Sequence, residues 1–138
     1  FDRICVMQLS FGNTVASVAI GAGLWVAGAL FIRARHEAMF PEQTKSGESV
    51  TSPKQGLVFA VLPPVALLTM QSIKPLVGLS GSDFFISSVI SAVTVLLLDA
   101  VAISYTSVYL VPKHRLFLTA GSLLWAVGWY LLAAYLFA

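Results

Sequence analysis

Four stretches of this sequence, about 12–33, 56–73, 84–110 and 116–138, are each long and apolar enough to cross a bilayer, for which roughly 20 mostly apolar residues suffice. Together they leave little chain for anything else. Charged residues make up 10% of the sequence and the mean hydropathy is +0.89, whereas a soluble domain carries about 25% charge. The predicted fold class is therefore an all-α membrane protein, a four-transmembrane-helix bundle in which residues 1–138 form one transmembrane domain. The lipid bilayer is its first partner. A net charge of +2 with scattered basic residues gives no concentrated footprint for nucleic acid.

The connections follow from breakers and charge. Residues 36–55 hold Glu37, Glu42, Lys45, Glu48 and Lys54 among Pro41, Gly47 and Pro53, which predicts a solvated loop over about 34–55. Lys74 to Asp83 forms the second connection, with Pro75, Gly78 and Gly81, and Val111 to Arg115 forms a short third one that makes spans three and four an antiparallel hairpin. Arg33, Arg35, Lys45, Lys54, Lys113 and Arg115 fall on one side, and Arg3 and Lys74 on the other. The positive-inside rule then places the first and third loops in the cytoplasm and both termini on the non-cytoplasmic side.

One cysteine, Cys5, excludes an intrachain disulfide and reads as a small apolar packer. The chain opens Phe1-Asp2-Arg3 rather than with methionine, which leaves open a processed protein or a preceding segment. The first apolar stretch runs into Arg33 without a small-residue cleavage site, unlike a cleavable signal peptide.

Small residues at helical spacing suggest close helix approach, which in lipid is driven by dispersion and weak hydrogen bonds. Span one carries Ser17 and Gly21 four apart, a second series of Ala19, Gly23 and Ala27, and then Gly28; span four carries Gly121 and Gly128. Gly21, Leu24, Trp25 and Gly28 recur as Gly121, Leu124, Trp125 and Gly128, a pattern expected of two tightly packed helices, with an internal duplication as the sharper alternative. In span two, Pro63 and Pro64 donate no backbone hydrogen bond and leave carbonyls near Phe59 and Ala60 without helical partners. A kink or late start is predicted there, with the exposed carbonyls taken up by neighbouring helices, hydroxyls or water.

Asp99 is the ionisable residue within the third span. Counted from Phe84 it lies 15 residues in, about 22 Å of helix, near the predicted bilayer centre. An Asp at that depth costs about 2.5–3.5 kcal/mol to insert, so it should face the bundle interior. Ser88, Ser91, Val95, Asp99, Ala102, Thr106 and Tyr109 follow at steps of three or four and form one predominantly small or polar stripe. Two accounts stand side by side: a proton or cation carrier or ligand counter-ion, and a neutral carboxyl bonded to a hydroxyl such as Ser104, Thr69 or Ser72. The spans offer no basic partner for a buried ion pair within the chain.

The remaining groups carry less chemistry. His36 and His114 lie at helix ends without a ligand partner at metal spacing and are expected to be solvated at the interface rather than to hold a metal or a pigment magnesium. Trp25, Trp125, Trp129, Tyr130 and Tyr135 are read as packing and interface anchors. No phosphate loop, nucleophile elbow, zincin pair or paired carboxylates occur in a span. The expectation is a protein that is not an enzyme, with no cofactor or metal assigned.

Leu97, Leu98, Asp99 and Ala100, followed by Tyr109 and Pro112 and then Leu124, Trp125 and Tyr130, resemble the recurring features of a family of small, functionally uncharacterised bacterial four-span membrane proteins. The resemblance covers residues 84–138, with an echo over 25–33. It departs where Ala92, Val93 and Thr94 stand in the region of the family's Pro-Gly pair, and where Lys113 stands for Asn after Pro112. It implies a four-helix architecture in a bacterial inner (cytoplasmic) membrane, and no chemistry. Three functions remain open. The first is a non-catalytic subunit packed against a larger membrane complex. The second is a small homodimeric proton- or cation-coupled transporter using Asp99 and the Pro63–Pro64 break, and the third is a membrane-embedded enzyme.

Overall fold

The computed structural model describes residues 9–39, 53–105, 108–109 and 113–138. The chain forms helices α1 (Phe11–Met39), α2 (Pro53–Val77), α3 (Gly81–Tyr105) and α4 (Lys113–Phe137). Each is long and apolar enough to cross a membrane. Cys5, Thr106, Pro112, residues 40–52 of the first connection and the side chains of Lys54, Lys113 and His114 lie outside the described residues.

The helix ends follow from local chemistry. Ser10 caps α1: its hydroxyl accepts the Asn13 N–H at 3.2 Å and its carbonyl accepts the Thr14 N–H at 3.0 Å, satisfying donors that have no partner within the helix. α1 then runs past Arg33 and Arg35 to Met39, two residues before Pro41, because a proline disfavours helical geometry only in the residue before it. The expected loop from 34 onward is therefore partly helix. α2 opens on Pro53, where a missing N–H costs nothing. It closes at Gly78, whose φ of 65° suits glycine and whose N–H bonds the Lys74 carbonyl at 3.2 Å.

Two boundaries differ from the sequence expectation. α2 runs from Pro53 through Pro63 and Pro64 to Val77, so of the predicted kink or late start the late start does not occur. α3 ends at Tyr105 rather than near 110, which leaves Asp99 six residues, about 9 Å, from its C-terminal end. Asp99 thus lies six residues beyond the α3 midpoint, level with Trp25 at the midpoint of α1. Tyr109 lies beyond the helix in a turn, off the helical stripe proposed for it. α4 begins before Arg115, which is buried at 6% exposure, so the spans do contain a buried basic side chain.

α1 packs chiefly on α3, α2 chiefly on α4, and α3 on α4, while α1 and α2 touch little. Around the bundle the order is α1–α3–α4–α2. Ser17 meets Ser87 and Trp25 meets Asp99, so α1 and α3 run parallel, as helices two crossings apart must. Phe59 with Trp125 and Lys74 with Phe137 give the same sense to α2 and α4. Met70, Phe84, Ala133 and Ala134 form the core at one end, and Ala29, Ile32, Ala102 and Tyr109 at the other. Leu30, Leu68, Leu97 and Leu132 point outward and are exposed, as a lipid-facing surface requires.

Candidate functional site

The polar groups of the bundle concentrate on the α1–α3 seam. Near its Ser17 end, the Ser17 hydroxyl lies 2.7 Å from the Asn13 carbonyl and 2.6 Å from the Ser87 hydroxyl. A serine has one proton to give, so with Ser17 donating to Asn13, Ser87 donates to Ser17. Ser91 donates across the seam to the Ser17 carbonyl at 2.7 Å and lies 3.1 Å from the Ser87 carbonyl in its own helix. Ser88 bonds the Phe84 carbonyl at 2.9 Å. Tyr130 of α4 stands beside Ser91 and Ser88.

Gly21 makes this approach possible. A Cβ built on it would stand 2.5 Å from the Ser91 carbonyl oxygen and 2.9 Å from the Thr94 Cβ, so no larger residue fits without parting the helices. One turn further along α1, the Trp25 indole N–H donates to Asp99 Oδ1 at 2.9 Å. The buried Tyr109 hydroxyl, returning from beyond the end of α3, donates to the same oxygen. Asp99 is 5% exposed, and its other oxygen, Oδ2, is buried with no hydrogen-bond partner among the described residues. Asp99 therefore ties three pieces of chain together through one oxygen and keeps the second available for a proton or a bound group.

The structure brings Ser88, Ser91 and Asp99 to one buried face of α3, together with Ser87 and Ala102, much as the stripe predicted. Val95 is half-buried. The expected hydroxyl partners of Asp99 do not serve it: Thr69 and Ser72 bond the Val65 and Leu68 carbonyls of their own helix at 2.8 and 2.9 Å, and Ser104 is exposed. Sequence reasoning treated Trp25 as an anchor and missed it as a donor. The signal was available, because Ser17, Gly21 and Trp25 succeed one another by four residues and a buried indole N–H seeks a partner.

The prolines of α2 act on a different seam. The Trp125 indole donates to the Phe59 carbonyl at 3.0 Å, the acceptor that Pro63 leaves without a helical donor. Its ring is tilted against Phe59 with centroids 6.1 Å apart, and meets Trp129 edge-on at 5.9 Å.

The glycines divide into two groups. Gly21 mediates a close contact, whereas a Cβ on Gly23, Gly28, Gly121 or Gly128 meets nothing within 4 Å. These four do not bring helices together inside the bundle. Ala19, Gly23 and Ala27 are all exposed on the outside of α1, as Gly128 is on α4. Among the described residues, no group of three or more His, Cys, Asp or Glu side chains is placed to hold a metal ion.

No family model, curated protein or solved structure matches this chain.

Proposed function

We propose that this chain is a non-catalytic integral membrane subunit that packs against and stabilises a larger membrane protein complex, in a bacterial inner membrane and with both termini on the non-cytoplasmic side. The observation that supports this reading is the outward series Ala19, Gly23 and Ala27 on α1 and Gly128 on α4, each exposed, with open space around both glycines. Small residues on a lipid-facing helix surface let a second backbone approach closely, and inside this chain Gly21 alone among the five helix-packing glycines is used that way. The Asp99 node serves the same reading as an internal fastening that holds α1 and the α3–α4 connection in place. The test is native mass measurement after gentle extraction. The native chain is expected to leave the membrane with a stoichiometric partner, and Gly23→Leu or Gly128→Leu to release it. A chain that runs alone in native form, or a complex retained by both variants, removes the proposal.

A second reading, a small homodimeric proton- or cation-coupled transporter, rests on the buried, unpartnered Oδ2 of Asp99. Intramembrane acids of this kind commonly mark ion pathways. In proteoliposomes Asp99→Asn would then abolish proton-linked flux while assembly persists, and unchanged flux would remove it.

A further inference from the structure

The bundle contains a cavity of about 240 Å³ bordered by all four helices. Leu24 and Gly28 line it from α1, Val65 and Ala66 from α2, Val95 from α3 and Ala126 from α4. The helix midpoints fall at residues 25, 65, 93 and 125, so the cavity sits at mid-length of every helix and hence at the middle of the hydrocarbon layer. Its lining is otherwise apolar: of its two polar side chains, Thr69 bonds the Val65 carbonyl at 2.8 Å and Tyr130 stands beside Ser91 and Ser88. A buried water needs 2–4 polar partners, and an apolar cavity of about 150 Å³ stays dry and takes a benzene-sized guest instead. The medium that surrounds this depth of the protein is the terminal part of lipid chains.

We propose that this cavity binds the end of one phospholipid acyl chain. The chain enters between α1 and α2, the neighbours that touch least, where Val65 is 47% exposed and Gly28 has no atom within 4 Å of the position its Cβ would take. The occupant completes the packing of the bundle where its own side chains leave space. It needs no partner protein and does not depend on the subunit reading.

The full chain in nanodiscs containing a trace of phosphatidylcholine with a diazirine near the methyl end of one acyl chain gives the test, by irradiation and mapping of adducts by mass spectrometry. Adducts are expected on Ala92 and Val95 inside the cavity, besides those on the outward Leu97. Gly28→Leu, which extends into open space, should cut labelling of Ala92 and Val95 at least five-fold and leave Leu97 unchanged. Ala126→Leu fills the cavity from α4 and gives the same reading should the first variant fail to fold. Absence of adducts on Ala92 and Val95 in the native chain, or equal labelling in a folded filled variant, overturns the proposal. Labelling of those positions by a diazirine-bearing alkane and not by the phospholipid overturns it too, in favour of a diffusible apolar guest.

Discussion

The Trp125 indole N–H donates to the carbonyl of Phe59 at 3.0 Å, and Phe59 stands four residues before Pro63, the residue whose missing N–H leaves that carbonyl open. A side chain on one helix thus replaces a backbone donor lost on another. Trp125→Phe keeps an aromatic ring against Phe59 and removes the donor, and should cost about 0.6 kcal/mol, the average for hydrogen bonds between membrane helices, and no more than about 1.7 kcal/mol. Pro63→Ala restores an N–H to the Phe59 carbonyl, so Trp125→Phe should cost measurably less in that background. Reversible unfolding of the four chains in mixed micelles measures the cycle, and equal costs in both backgrounds would show that the bond carries no stability.

At Asp99 the discriminating pair is Asn and Ala. Asn retains an oxygen for the Trp25 and Tyr109 donors, whereas Ala leaves both unpaired, and a buried unpaired donor costs about 1–3 kcal/mol. Asp99→Ala should therefore unfold at a clearly lower temperature than Asp99→Asn in the same detergent. Matching melting temperatures would mean that Trp25 and Tyr109 find other acceptors.

Gly21 and Gly23 make a matched comparison on one helix. Gly21→Ala drives a methyl group against the Ser91 carbonyl and should destabilise by about 1–3 kcal/mol, the usual range for overpacking. Gly23→Ala points away from the bundle and should change the isolated chain by no more than about 0.5 kcal/mol. Thermal denaturation followed by circular dichroism separates them, and similar losses for both would place Gly23 in a contact inside the bundle.

Much of this architecture was legible in the sequence. The four helices were written in four apolar runs, and the inward face of α3 in the spacing of Ser88, Ser91 and Asp99. The open carbonyl at Phe59 was written in Pro63. What stayed hidden was pairing. No local pattern states that α1 lies on α3 rather than on α2, so although the spacing of Ser17, Gly21 and Trp25 marks Trp25 as a donor on one face of α1, it does not match that donor to Asp99, 74 residues away, nor place Tyr109 in a turn that returns to it. For the same reason the two small-residue series of α1 looked equivalent, although Gly21 meets α3 and Gly23 faces outward.

At the end of the bundle where α2 finishes, Lys74 donates to the Phe137 carbonyl, and its ammonium lies 5.7 Å from the Phe84 ring centroid. Lys74→Met keeps the apolar stem and removes the ammonium. The last turn of α4 should then fray, with faster hydrogen exchange at residues 135–138 and little change in the unfolding temperature. Unaltered exchange there would show that the ammonium contact does not hold the turn.

Because α1 docks chiefly on α3 and little on α2, its main partner within the bundle is made only after α2 has been completed. Between Ser17 and Ser87 lie 70 residues of further synthesis, roughly 4–14 s at about 5–20 residues per second. Throughout that interval the Ser17 hydroxyl, the Gly21 groove and the Trp25 N–H face lipid or the insertion machinery. The bundle is therefore assembled out of sequence order, and the polar seam of α1 is covered only when α3 arrives.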